Sequence, residues 1–261
     1  MSETVLLSIT GPIARISFNR PTAMNAFDKQ MADELEAITN QIKNDTHIRA
    51  VLLNGNGPLF MAGGDIRFFH EAMDRMPEGV IKIVRTLNAS IMNLMQMAKP
   101  VLASVHGSVA GVGLGLMMAC DLVIAADNTK FTTAYSGIGV SPDGGISFNL
   151  PRIVGTKKAM EWLLLPDLID AQTAAAQGLI NWVTPADTLI DKTTHLLERL
   201  AQGPTGSYAN IKRLVNTSWD NSLAQQLEHE GKAFEESSMS DDFKLGVSAF
   251  LQKAKPAFTG K

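Results

Sequence analysis

The stretch from Lys99 to Gly145, KPVLASVHGSVAGVGLGLMMACDLVIAADNTKFTTAYSGIGVSPDGG, constrains this chain more than any other. Val101 to Val105 reads as a short buried strand, and a glycine-rich turn after it opens an apolar helix from about Gly111 to Ala119. A second strand follows at Leu122 to Ala125, and then a loop that ends in Pro142-Asp143-Gly144-Gly145. Strand, glycine turn and buried helix in this order aim backbone N–H groups at whatever lies before the helix, where the helix dipole favours negative charge. The rest of the chain is expected to build a pocket around that point.

With 261 residues, 45% of them hydrophobic, the chain can bury a sizeable core as one large domain or two small ones. Its net charge of −3 carries no long run of either sign, which argues against nucleic acid or a membrane surface as a partner. The one cysteine, Cys120, excludes an internal disulfide and reads as a buried, inert thiol in an apolar run. The start, MSETVLLSIT, lacks the basic-then-apolar pattern of a signal peptide. The most apolar stretch, Val105 to Cys120, is too short and too glycine-rich to span a bilayer. The expectation is a cytoplasmic protein of a reducing compartment.

Residues 4–9 and 13–18 alternate apolar and polar around Gly11-Pro12, as neighbouring strands do. Asp28 to Ile42 carries the helical stripe Met31, Leu35, Ile38 and Ile42, with Asp28 as its N-cap. Ala50 to Leu53 reads as a buried strand, and Phe60 to Asp65 as a tight turn into a helix over Ile66 to His70. Residues 71–80 read as a mobile loop, and Val80 to Gln96 as a long helix. Beyond Gly145, helices are expected over Gly145 to Ile153, Thr156 to Leu164 and Ala171 to Gln177, then a strand over Leu179 to Val183. From Ala186 onward the pattern is helical, broken at Gly203-Pro204, near Asn221 and near Ser240. This order predicts an α/β core over residues 1–200 and a C-terminal helical region over 201–261, for assembly or as a lid.

The five histidines, His47, His70, His106, His195 and His229, have no metal-like spacing, so no metal site is predicted. His106 reads as a hydrogen-bonded support beside the glycine turn. The run Gly111-Val112-Gly113-Leu114-Gly115 misses the G-x-G-x-x-G spacing of a dinucleotide loop. Asp143 and Asp65 each read either as a helix cap or as chemistry, and Asp121 reads as structural. Tyr135 stands out as one of only two tyrosines.

Together these stretches resemble the crotonase superfamily, the enoyl-CoA hydratase/isomerase family. Asn19-Arg20-Pro21 with Asn25-Ala26-Phe27 is similar to its N-R-P-x-x-x-N-A-L, and Phe60 to Asp65 to its F-x-A-G-x-D. Lys99-Pro100 through Asp121 is similar to its glycine-rich segment. The tail, with Phe250, Lys253, Pro256-Ala257-Phe258 and Gly260-Lys261, resembles its C-terminal signature. Four motifs in order at these separations make a specific signal over essentially the whole chain.

The resemblance implies a crotonase-like ββα spiral core, coenzyme A thioester substrates, no separate cofactor, and a homotrimer or dimer of trimers. It implies that the N–H groups of Gly64 and Val112 bind the thioester oxygen, although the family usually has glycine where Val112 stands. Met61, Ala62, Asp65, Ile66, Arg67 and Tyr135 fall at substrate-binding positions, with Arg67 as a phosphate contact. Hydratases of the family carry two glutamates where this chain has Gly115 and Tyr135. Asp143 matches a carboxylate found in several enoyl-CoA and dienoyl-CoA isomerases, which implies an enoyl-CoA isomerase with Asp143 as the acid and base. Three alternatives stay open. One is a hydratase with altered residues; another is a hydrolase or dehalogenase with Asp143 as nucleophile. The third is an acyl-CoA-binding protein without catalysis.

Overall fold

The computed structural model describes residues 3–71 and 78–261. Strands β1 (Val5–Thr10) and β2 (Ile13–Phe18) form an antiparallel hairpin. Helix α1 (Lys29–Lys43) follows, and the Asp28 carboxylate caps it by accepting from the Met31 N–H at 2.9 Å. Strand β3 (Ala50–Gly55), helix α2 (Ile66–Glu71) and helix α3 (Glu78–Gln96) lead to β4 (Val101–Val105), β5 (Ser108–Ala110) and helix α4 (Val112–Met118). Then come β6 (Leu122–Ala126), β7 (Lys130–Thr132), α5 (Ile146–Val154), α6 (Thr156–Leu164), β8 (Ile169–Asp170), α7 (Ala171–Ala176) and β9 (Trp182–Thr184). Helices α8 (Leu189–Ala201), α9 (Thr205–Thr217), α10 (Leu223–Ser238) and α11 (Asp241–Leu251) close the chain.

The large sheet has the order β1-β2-β3-β4-β6-β9, parallel everywhere except at β1–β2. Beside it a second layer of short segments repeats the same winding. Met61 bridges Val109, β5 pairs β7 in parallel, and β7 pairs β8 antiparallel. Each turn of chain thus places one long strand in the large sheet and one short segment in the second layer, a ββα spiral. Both faces of the large sheet are covered, so its central strands are apolar on both sides, alternate residues going to opposite faces. Val51, Leu53, Ala103, Val105, Val123 and Ala125 belong to the main core with α1, α3 and α4. Ala50, Leu52, Leu102, Ile124 and Ala126 pack instead on Leu189, Leu197 and Ala201 of α8.

Buried cations tie distant segments together. Lys99 donates to the carbonyls of Ile42 and Asp45 at 2.8 and 2.6 Å, fastening the end of α1 to the start of β4. Lys212 of α9 donates to Leu94 O at 2.6 Å and pairs with Asp121 at 2.8 Å. The Asp121 carboxylate also accepts from the Val101 N–H at 2.7 Å, so the structural reading of Asp121 holds. Arg49 donates to Gly203 O, Thr205 Oγ1 and Phe258 O, and Asp242 accepts from the Thr259 and Gly260 N–H groups. The C-terminal tail is thereby sewn back onto the helical region.

Three expectations need correction. Of the loop expected over 71–80, Glu71 belongs to α2 and Glu78 to Val80 belong to α3; residues 72–77 lie outside the described residues. The strand expected over Leu179 to Val183 pairs only over Trp182–Thr184. Ahead of it, Asn181 satisfies Val123 through its own side chain and N–H, at 2.7 and 3.0 Å, which replaces a ladder rung. Strands β5, β7 and β8 leave no mark in the sequence pattern, because two or three residues carry no period.

Candidate active site

Two loops meet at the start of α4. The first, Phe60 to Asp65, is held on both sides: Met61 exchanges backbone bonds with Ser108 and Ala110, and Phe27 and Asp65 bond across Gly64. The second is the turn at Gly111, whose φ of 49° is open to glycine at little cost. A Cβ on Gly111 would stand 3.6 Å from Gly63 Cα, so the two backbones are in contact. Among the described residues the N–H groups of Gly63 and Gly64, and of Val112 and Gly113, have no acceptor, whereas those of Ala62, Asp65, Gly111 and Leu114 are bonded. Unspent donors on two adjoining loops, one pair at a helix start, suit an oxygen that gains negative charge.

The other predicted binding residues divide. Ala62, Ile66 and Arg67 are exposed along the rim of the first loop. Met61 points inward; it is fully buried, with its side chain against Gly113. Asp65 caps α2, accepting from the Arg67 N–H at 3.1 Å, and pairs with Arg20 at 3.2 Å. His106 bonds Gly57 O at 2.9 Å, as a supporting residue would. Cys120 is buried, and burial pushes its thiol far above the ordinary range.

Asp143 sits on a loop pressed between two helices. Gly144, at φ 58°, lies against Leu87 and Ile91 of α3 on one side and Gly115 of α4 on the other. The contact with Gly115 is close: a Cβ there would fall 2.6 Å from Gly144 O. The glycine at 115 is therefore the space into which the Asp143 loop fits. Asp143 caps no helix with its side chain; Gly145 occupies the N-cap of α5, and only the Asp143 carbonyl accepts, from the Ile146 N–H at 3.1 Å. Its carboxylate accepts instead from the Tyr135 hydroxyl, at 2.6 Å. Burial raises the Asp143 carboxyl above its ordinary value, and the Tyr135 hydrogen bond offsets part of that rise. The structure thus gathers positions 115, 135 and 143 at one place. A cavity of about 910 Å³ lies between α3, the start of α5 and α9, with Asn88, Ile91, Gly145, Phe148 and Arg213 in its wall; Gly64, Val112, Gly115, Tyr135 and Asp143 do not line it.

This arrangement has recognisable company. The profile of the enoyl-CoA hydratase/isomerase family matches residues 8–261. The chain belongs to that family. Among members of the enoyl-CoA hydratase/isomerase family, 1,2-epoxyphenylacetyl-CoA isomerase of Escherichia coli is 35% identical over the whole of both chains. Trans-2-decenoyl-[acyl-carrier-protein] isomerase of Streptococcus mutans is 31% identical over 99% of each chain. The crystal structure of an enoyl-CoA hydratase from Polaromonas sp. JS666 superposes with a TM-score of 0.93 at 31% identity, covering 97% of this chain and 99% of the other. The crotonase fold and an enzyme of the hydratase/isomerase type follow. Among the described residues no helix is long and apolar enough to cross a membrane, and no three His, Cys, Asp or Glu side chains gather to hold a metal.

Proposed function

We propose that this protein is an enoyl-CoA isomerase that moves a double bond along an acyl thioester. The observation that carries the reading is the half-buried Asp143 carboxylate: it caps nothing, and its loop lies where a hydratase-type glutamate at position 115 would stand. Gly64 and Val112 N–H groups bind the thioester oxygen and make the adjacent C–H acidic. Asp143 takes the proton from C2, and the C–H electron pair enters a dienolate whose charge rests on the thioester oxygen. The C3=C4 double bond becomes C2=C3 as Asp143 returns the proton to C4. One carboxylate suffices, since it is the base in the first step and the acid in the second. Ala62, Ile66 and Arg67 line the path of the pantetheine and nucleotide, with Arg67 meeting phosphate. Two of the relatives named above are isomerases, which supports this reading; the Polaromonas enzyme, named a hydratase, supports a second one in which Asp143 activates water.

A panel of acyl-CoA substrates separates the readings by mass spectrometry with chromatography. An isomerase leaves the mass of 3-enoyl-CoA unchanged and shifts its retention. Water addition means hydratase, release of free coenzyme A means hydrolase, and no change means a binding protein.

The assembly belongs to the same proposal: a homotrimer or dimer of trimers built through residues 201–261. Phe234, Phe243, Val247, Phe250 and Leu251 on α10 and α11 are exposed, Phe250 at 83%. An apolar surface of this size is costly in water. Light scattering at micromolar concentration should give a mass three or six times that of the chain, and a monomer would remove this part of the proposal.

A further inference from the structure

The function of Asp143 as a shuttle depends on where its two oxygens point. Tyr135 precedes a short turn, and its carbonyl accepts from the Ile138 and Val140 N–H groups at 3.1 and 3.2 Å. Two residues earlier, Thr133 Oγ1 donates to Trp162 O of α6 at 2.6 Å. The tyrosine is therefore anchored from the α6 side, while Asp143 is anchored between α3 and α4 through Gly144. Two groups fixed on separate elements meet in one hydrogen bond of 2.6 Å. Among the described residues, no other residue donates to the second oxygen, Oδ2. The packed helices present Leu87, Ile91 and Gly115 to this loop, none of them titratable, so Tyr135 is the titratable group that bears on Asp143. Tyr135 itself keeps its proton, because burial and the adjacent carboxylate push the phenol well above its ordinary range.

We propose that Tyr135 is a positioning residue: its hydroxyl fixes Asp143 Oδ1, so that Oδ2 alone takes the proton from the acyl chain and returns it on the same face. The proposal rests on the reading of Asp143 as the base. A carboxyl group free to turn would exchange its two oxygens during the life of the dienolate and pass the proton to water. A pinned one keeps the substrate's own hydrogen. The same hydrogen bond favours the ionised form and so sets the pH at which the base becomes available.

The test compares Tyr135→Phe with protein in which tyrosine is replaced throughout by 3-fluorotyrosine. Only Tyr208 shares that labelling, and Tyr208→Phe serves as its control. In Tyr135→Phe the hydrogen bond to a charged group is lost while the burial remains. The acidic limb of the kcat profile should move up by about one pH unit, about a tenfold loss of kcat on that limb. The more acidic fluorinated phenol, a stronger donor, should move the limb down. A substrate deuterated at C2 should carry label to C4 in the native enzyme, and Tyr135→Phe should lose most of it to water. An unmoved limb and unchanged label transfer in Tyr135→Phe, with Asp143→Asn inactive, would overturn the positioning role and leave the base in place. An active Asp143→Asn would overturn both.

Discussion

Asp143→Asn should lower kcat for conversion of 3-enoyl-CoA to 2-enoyl-CoA by about 10²–10⁴-fold, the usual loss on removing a positioned general base. Asparagine keeps the size of the side chain and its carbonyl still accepts the Tyr135 hydroxyl, but it takes no proton. Acyl-CoA affinity should hardly change, because the proposed thioester contacts are backbone N–H groups. Stability should move in the opposite direction to activity. The folded state raises the Asp143 pKa, so it binds a proton more readily than the unfolded chain does. The stability from this group is therefore full below the ordinary carboxylate value and lost as the pH rises through the folded pKa. Above the folded pKa the native enzyme carries an ionised, partly desolvated carboxylate, and there the asparagine variant should melt no lower than the native protein. Calorimetry in that pH range alongside the kinetic assay checks both halves. Full activity in the variant would leave the proton shuttle without a base.

Gly115→Glu should be nearly as damaging. This change installs one of the two glutamates of a hydratase and, by sequence analogy alone, would be expected to add water-adding activity. The structure predicts the reverse. The new Cβ would lie 2.6 Å from Gly144 O and 3.3 Å from Gly144 C and Cα, all backbone atoms. The loop must shift, and Asp143 moves with it. A displacement of about 1 Å is enough to cost roughly 10²-fold in rate, and forcing bulk into a packed site destabilises by about 1–3 kcal/mol. Gly115→Ala carries the same Cβ without a charge, so it should lose isomerase activity to a similar extent. Hydrated product from Gly115→Glu, seen as an added water by mass, would mean that the site accepts a glutamate at 115 and adds water with it, against the packing argument.

These two glycine and aspartate positions show how far the sequence could be read. The hairpin, α1 with its Asp28 cap, and the buried strands β3 and β4 are legible, because each is a local period, a short apolar run or a local hydrogen bond. The strand–turn–helix at Gly111 is legible for the same reason. Position 115, however, reads in the sequence only as a missing carboxylate. That it holds room for Gly144 depends on a contact between segments 29 residues apart in the chain, which no local pattern encodes. Tyr135 and Asp143 could each be singled out, one by rarity and one by its turn, but their bond depends on how the intervening loop folds back. Lys212 gives no signal at all. In an amphipathic helix a lysine reads as solvated, and only the packed structure shows it 8% exposed and bonded to Leu94 O and Asp121.

The ties made by Arg49 have a consequence in time. Arg49 lies at the entry to β3, and its acceptors at Gly203 and Phe258 follow it by 154 and 209 residues. At about 5–20 residues per second of synthesis, an early cation waits roughly 10–40 s for its last partner to exist. Asp121 waits likewise for Lys212, 91 residues later. Until then a guanidinium and a carboxylate that will be paired in the folded chain are held by water alone, and the sheet edges beside them stay open. The nascent chain is thus held short of its final packing until its last helices emerge, so its folding is a race between closure and association with other unfinished chains.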